Sequence, residues 1–146
     1  MPSETSRVED PAISFNFVLV IDGATIGVFT SVGGLGVEME VETVKEGGLN
    51  GFEHKLPGRL KWSNITLKRG ITSSTELFDW MLKATPNGLA RTTGKISMLN
   101  TQYEEVQTWE FEGAFPVKWT GPSLDAGSNE VATEELEIAH HGFRVG

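Results

Sequence analysis

Leu35-Gly36-Val37-Glu38-Met39-Glu40-Val41-Glu42 is the most regular stretch of the chain. Leu35, Val37, Met39 and Val41 alternate with carboxylates at Glu38, Glu40 and Glu42, which is the period-two signature of a β-strand with one dry and one wet face. Three carboxylates on one flat face have no evident desolvation to separate their pKa values, so they do not read as an acid/base pair. A solvated strand face and the wall of a water-filled passage both fit. Same-face residues lie about 6.8 Å apart along a strand, so each pair repels by only ~0.6 kcal/mol in water.

Upstream, Ile13, Phe15, Phe17, Leu19 and Ile21 share one parity, and Asp22-Gly23 follows as a hairpin-turn pair. A short strand is predicted over 25–30, and Gly33, Gly34 and Gly36 then break regularity. Downstream, the span from Thr43 to Arg59 holds Gly47, Gly48, Gly51, Pro57 and Gly58 and reads as a long loop, a length usually reserved for function. A strand is expected over 60–69, with Ile65 and Leu67 on one parity and Asn64, Thr66 and Lys68 on the other. Trp62 falls on the polar parity, so a bulge or a subunit contact is expected there. Ser73 and Glu76 have capping-box spacing, and Leu77, Trp80 and Met81 form one helical stripe that ends at Thr85-Pro86-Asn87-Gly88. Strands resume over 92–100, 106–119 and 129–143. The fold class is mainly antiparallel β with one α-helix. Residues 1–10 read as a flexible arm and 11–146 as one domain.

Composition narrows the function. The chain has 146 residues, 15.9 kDa and a net charge of −8, enough for one domain with its own core. The acidic balance opposes specific nucleic-acid binding. The absence of cysteine removes disulfides, thiolate metal sites and thiol nucleophiles. Met1–Asp10 is polar, unlike a secretory signal, and no run reaches the ~18 apolar residues of a membrane span. No catalytic residues, metal site or cofactor are expected. His140 and His141 fall on opposite strand faces, His54 has only Glu53 beside it, and no phosphate-binding glycine motif or nucleophile elbow occurs. The sequon Asn64-Ile65-Thr66 lies inside a predicted strand. Phe15, Phe17, Phe29, Phe78, Trp80, Trp109, Phe111, Phe115 and Trp119 read as core, whereas Trp62, Phe52 and Phe143 read as candidates for burial against another subunit.

An ordered series of segments resembles the tail-tube proteins of contractile phages and of extracellular phage-tail-like contractile injection systems. It runs from Asp10-Pro11-Ala12-Ile13-Ser14-Phe15-Asn16-Phe17 through Phe29-Thr30-Ser31-Val32-Gly33-Gly34-Leu35, Glu46-Gly47-Gly48, Lys55-Leu56-Pro57-Gly58-Arg59 and Leu67-Lys68-Arg69-Gly70-Ile71-Thr72. Phe115-Pro116, Lys118-Trp119, Gly121-Pro122, Ser128-Asn129-Glu130 and Ala139-His140-His141-Gly142 complete it. The resemblance implies a structural, non-enzymatic protein with a β-barrel or sandwich subunit. Six copies form a ring, their strands close a shared inner barrel, and stacked rings form a tube that sheath contraction drives through a target envelope. Implied partners are further copies of the chain, the sheath, baseplate or initiator proteins, a cap or terminator, and cargo in the lumen. Assembly is expected in the bacterial cytoplasm, in a phage tail or a releasable particle, with no membrane insertion of the monomer. Glu38, Glu40, Glu42, Asn64, Thr66 and Lys68 are expected to line the lumen. Lys45, Glu46, Gly47, Gly48, Phe52, His54, Leu56, Pro57 and Arg59 are expected to form an inter-subunit loop. About four strands per copy would give a backbone diameter of about 48 Å. The competing expectations are a soluble β-barrel ligand-binding module, a type VI secretion ring protein and, last, a carboxylate-based hydrolase.

Overall fold

The computed structural model describes residues 15–45, 53–83, 92–127 and 131–146. The predicted N-terminal arm, Glu46, Gly47, Gly48, Phe52, the helix-ending Thr85–Gly88 and Ser128–Glu130 lie outside them.

The elements run β1 (Asn16–Ile21), β2 (Ala24–Phe29), β3 (Ser31–Gly33), β4 (Val37–Lys45), β5 (Glu53–Trp62), β6 (Ile65–Gly70), α1 (Glu76–Lys83), β7 (Thr92–Leu99), β8 (Glu105–Thr120), β9 (Thr133–Ala139) and β10 (Phe143–Val145). Asp22 (φ 50°) and Gly23 (φ 81°) both take left-handed backbone, as a two-residue type I′ turn between β1 and β2 requires. The large sheet runs β2-β1-β7-β8-β9-β6-β3, with β10 added on β8, and all pairs are antiparallel. It closes on itself because the chain changes partner at Thr30. β2 pairs with β1, β3 pairs with β6, and Thr30 N–H donates to Lys68 O at 3.0 Å. Closure leaves the barrel body no long free edge at that seam.

Alternation fills the barrel. Leu19 and Ile21 on β1, Ile65 and Leu67 on β6, and Leu136 and Ile138 on β9 all point inward and are buried with Phe29, Ile96 and Phe111. Arg69 continues the inward parity of β6 and meets its register partner Glu134, Nη2 to Oε1 at 3.3 Å, with the guanidinium 5.3 Å from the Phe29 ring centre. α1 packs on β8 and β2. Leu77 is buried, Trp80 and Met81 are half-buried, and Phe78 meets Trp119 edge-on at 5.1 Å. The helix starts later than the Ser73–Glu76 spacing predicts. Its first intrahelical acceptor is Thr75 O, bonded by Asp79 N–H at 2.9 Å, so Thr75 is the N-cap. Two predicted core aromatics, Phe15 and Phe78, lie outside the core, at 39% and 41% exposed. On the β7–β8 hairpin, hydrogen bonds from Ser97 (2.9 Å) and then Lys95 (3.4 Å) hold the Glu105 carboxyl below the usual carboxylate range.

Two sequence expectations change. The described parts of the segment 43–59 are strand and not loop: Lys45 ends β4, and His54, Leu56, Pro57 and Arg59 lie on β5. Its glycines and proline concealed a strand that tolerates both. Pro57 sits on an edge strand, and Gly58 lies at a bulge where an added Cβ would come within 2.9 Å of Glu40 O. The strand expected over 60–69 is in turn two strands, broken at Ser63-Asn64. The break resets the alternation, and this is why Trp62 looked misplaced.

Gly34 holds the joint between β3 and β4. Its φ is 80°, and a Cβ there would collide with the Asn64 carbonyl oxygen across the joint. Gly33 has open space and an ordinary φ. Gly34→Val should therefore destabilise the protomer by about 3 kcal/mol, while Gly33→Ala leaves it nearly unchanged. Chemical denaturation of the two variants checks the contrast.

Candidate assembly surface

β4 and β5 form a separate two-stranded sheet. The register runs Val37–Trp62, Glu38–Lys61, Met39–Leu60, then shifts by one residue to Val41–Pro57, Glu42–Leu56 and Val44–His54. One face therefore carries Val37, Met39 and Val41 with Trp62, Leu60 and Pro57. The other carries Glu38, Glu40 and Glu42 with Lys61, Arg59, Leu56 and His54. The shift places Gly58 and Arg59 together opposite Glu40, so the two strands keep these faces despite the extra residue.

In the lone chain this ribbon buries almost nothing. Val37, Met39, Val41, Val44, Leu56 and Leu60 are each 46–59% exposed. A two-stranded hairpin with no packing on either face is marginal in water, and this one has unpaired strand edges on both sides among the described residues. Its root is anchored. Trp62 meets Phe143 edge-on at 4.9 Å and His140 at 6.0 Å. Trp62 and Phe143, read as candidates for burial against another subunit, pack on each other within one chain and stay half-buried. β10 returns along β8 and brings Phe143 to the ribbon's base.

The expected lumen residues occupy two sheets. Glu38, Glu40 and Glu42 share the polar face of the ribbon. Thr66 and Lys68 lie on the outward face of β6, and Asn64 at the joint donates to Glu137 Oε2 at 2.9 Å. Cross-strand register adds residues that sequence reasoning missed: Glu137 is opposite Thr66 and Lys118, and Glu135 is opposite Lys68 and Thr120. The signal for them was the alternation of Glu135 and Glu137 with Leu136 and Ile138, but nothing in one sequence says which strand lies beside which. A second open edge occurs on β8. The register of β7 on β8 ends at Thr92–Ala114, so among the described residues Phe115–Thr120 has β9 as its strand neighbour on one side only.

Among the described residues no three His, Asp or Glu side chains gather as a metal would need. Among the described residues, the barrel interior is filled by core side chains. A surface cleft of about 490 Å³ lies beside the ribbon root, lined by Trp62, Phe111 and Phe143 and rimmed by Asp22, Glu112 and Arg144. No helix among the described residues is long and apolar enough to cross a membrane.

A closed barrel carrying an unpacked ribbon with open edges defines a class, the β-rich structural subunit. The chain matches the T4-like virus tail tube protein gp19 family over residues 13–144 and belongs to that family. It is a structural inner-tube protein. Its fold superposes on a chain of the sheath–tube complex of an extracellular contractile injection system, PVC, in the extended state. That match has a TM-score of 0.81 and 30% identity and covers 100% of this chain and 98% of the other. A chain of the sheath/tube terminator of the same system matches with TM-score 0.78 and 32% identity, covering 95% and 99%. Hcp1 from Flavobacterium johnsoniae, at TM-score 0.54 and 22% identity over 89% and 94%, shares the fold alone. None of the curated proteins matches significantly.

Proposed function

We propose that six copies close a ring and that stacked rings form a hollow tube that carries cargo. The observation that carries this is the ribbon: Val37, Met39, Val41 and Leu60 stand exposed on one face of a two-stranded sheet that only neighbouring copies would cover. Its open β4 edge and the open Phe115–Thr120 edge of β8 lie at opposite ends of the strand series β4, β5/β6, β9, β8. Rotational symmetry then brings one copy's β4 edge to the next copy's β8 edge. This gives four strands per copy, the number that sets the tube's expected width.

The wall would present Glu38, Glu40, Glu42, Asn64, Thr66 and Lys68, joined by Glu135, Glu137 and Lys118. Arg59 and Lys61 stand among the ribbon carboxylates, so the wall carries both signs, with Val44 and Leu56 as its apolar members on the ribbon. Such a surface offers a passing macromolecule no single-sign field to adhere to. Lys45, His54, Leu56, Pro57 and Arg59 would meet neighbouring copies. The role is non-enzymatic. The sheath–tube, terminator, cap and baseplate complexes that hold similar chains support a sheath, a cap and a baseplate as further partners. Assembly in the bacterial cytoplasm is part of the same proposal.

Negative-stain microscopy of the purified chain, with and without a baseplate template, tests the proposal. Hollow rings or filaments are expected. Strictly monomeric sedimentation at high concentration, with no filaments on the template, would overturn it.

A further inference from the structure

The ribbon leaves the barrel at two adjacent points, Gly34–Gly36 and Ser63-Asn64, tied by Ser63 N–H to Gly36 O at 3.4 Å. His140, just after β9, contacts this root through both ring nitrogens. Its Nε2 lies 2.8 Å from Ser63 O, and its Nδ1 accepts from Gly142 N–H at 3.0 Å. A carbonyl oxygen only accepts and an amide N–H only donates. Both contacts are therefore bonds in one state alone, the neutral imidazole with its proton on Nε2. A second proton would sit on Nδ1 and point at Gly142 N–H, donor against donor. Gly142 itself lies against the Trp62 indole, about 3.0 Å from where a Cβ would stand. Displacing it disturbs the aromatic contact that seats the last residue of β5.

We propose that protonation of His140 unlatches the root of the β4–β5 ribbon, making the ribbon's seat on the barrel, and the assembly built on it, sensitive to acid. The step is a proton from solvent adding to Nδ1, with the Gly142 bond lost. Charged and titratable groups on the surrounding elements include Lys61 on β5, Glu110 and Glu112 on β8, Glu137 on β9, His141, and Arg144 on β10. Glu110 is engaged by Arg144 at 3.0 Å and Glu137 by Asn64. What makes His140 a latch is the opposite polarity of its two partners, which no neighbouring charge alters.

The part of this inference that concerns assembly rests on the ring proposal, and the test separates the two. Hydrogen exchange is measured on the protomer at about pH 7.5 and about pH 5, spanning the range in which imidazole side chains change charge, and ring formation is measured in parallel. After correction for intrinsic rates, protection at Gly142 and across β5 should fall on the order of tenfold in acid, the loss of one or two hydrogen bonds. Ring yield should fall with it. His140→Gln, which does not titrate, should show no such fall, while His141→Gln should behave as the wild type. Equal protection at both pH values, or the same fall in His140→Gln, would overturn the latch. Should His140→Gln not fold, nitrogen NMR of the wild-type imidazole decides: a proton on Nδ1 at about pH 7.5 would overturn it. Absence of rings at about pH 7.5 would instead defeat the ring proposal and leave the exchange result to judge the latch.

Discussion

Replacing Met39 and Val41 together by aspartate should abolish ring and tube formation while leaving the protomer folded. Both side chains are about half exposed in the lone chain, at 49% and 59%. Surface substitutions of this kind change protomer stability by only about 0.5 kcal/mol. In a ring the same face would be covered, and each aspartate would be buried without a partner at a cost of several kcal/mol. Symmetry repeats that cost at every interface. Thermal melting should show a transition close to that of the wild type, and sedimentation with microscopy should show monomers only. Well-formed tubes from this variant would mean that the apolar face of the ribbon stays wet in the assembly.

Glu134→Leu should destabilise the protomer by about 3–5 kcal/mol, the usual cost of stranding a buried charge. The Arg69 and Glu134 side chains are only 7% and 5% exposed, and Arg69 Nε already lacks a hydrogen-bond partner. Without the carboxylate, the guanidinium keeps the face of Phe29 but no counter-charge. The double variant Arg69→Met/Glu134→Leu should recover most of the loss, because an apolar pair of similar volume fits a barrel interior as well or better. Denaturation is best measured in the Met39/Val41 aspartate background, where association does not add to apparent stability. A loss under about 1 kcal/mol for the single variant would show that water reaches Arg69.

Much of the barrel was legible in the chain because its faces alternate cleanly. Leu19 and Ile21, Ile65 and Leu67, and Leu136 and Ile138 each declare an inward parity, and Asp22-Gly23 declares its turn. The stretch 53–59 was illegible for a local reason. Pro57 and Gly58 are normally strand breakers, but an edge strand needs no N–H at Pro57, and a bulge needs the bare Cα of Gly58. Trp62 was the one visible sign, since its wrong parity records the break at Ser63-Asn64. The role of Phe143 was hidden differently, because β10 returns along β8 and meets Trp62 from 81 residues away. The polar face that joins Thr66 and Lys68 to Glu135, Glu137 and Lys118 likewise depends on strand order, and alternation within one strand carries no information about its neighbour.

The contrast between a finished barrel and an unfinished ribbon also bears on how growth would begin. Two free protomers meeting in solution must each organise a marginal ribbon at the moment of contact, and both lose chain entropy together. A protomer reaching the end of an existing stack would find that ribbon already set and lose only its own. Initiation would then be slow and elongation quick, with a lag and a critical concentration below which protomers persist. Length would be governed by whatever starts and stops the polymer and not by the supply of subunits.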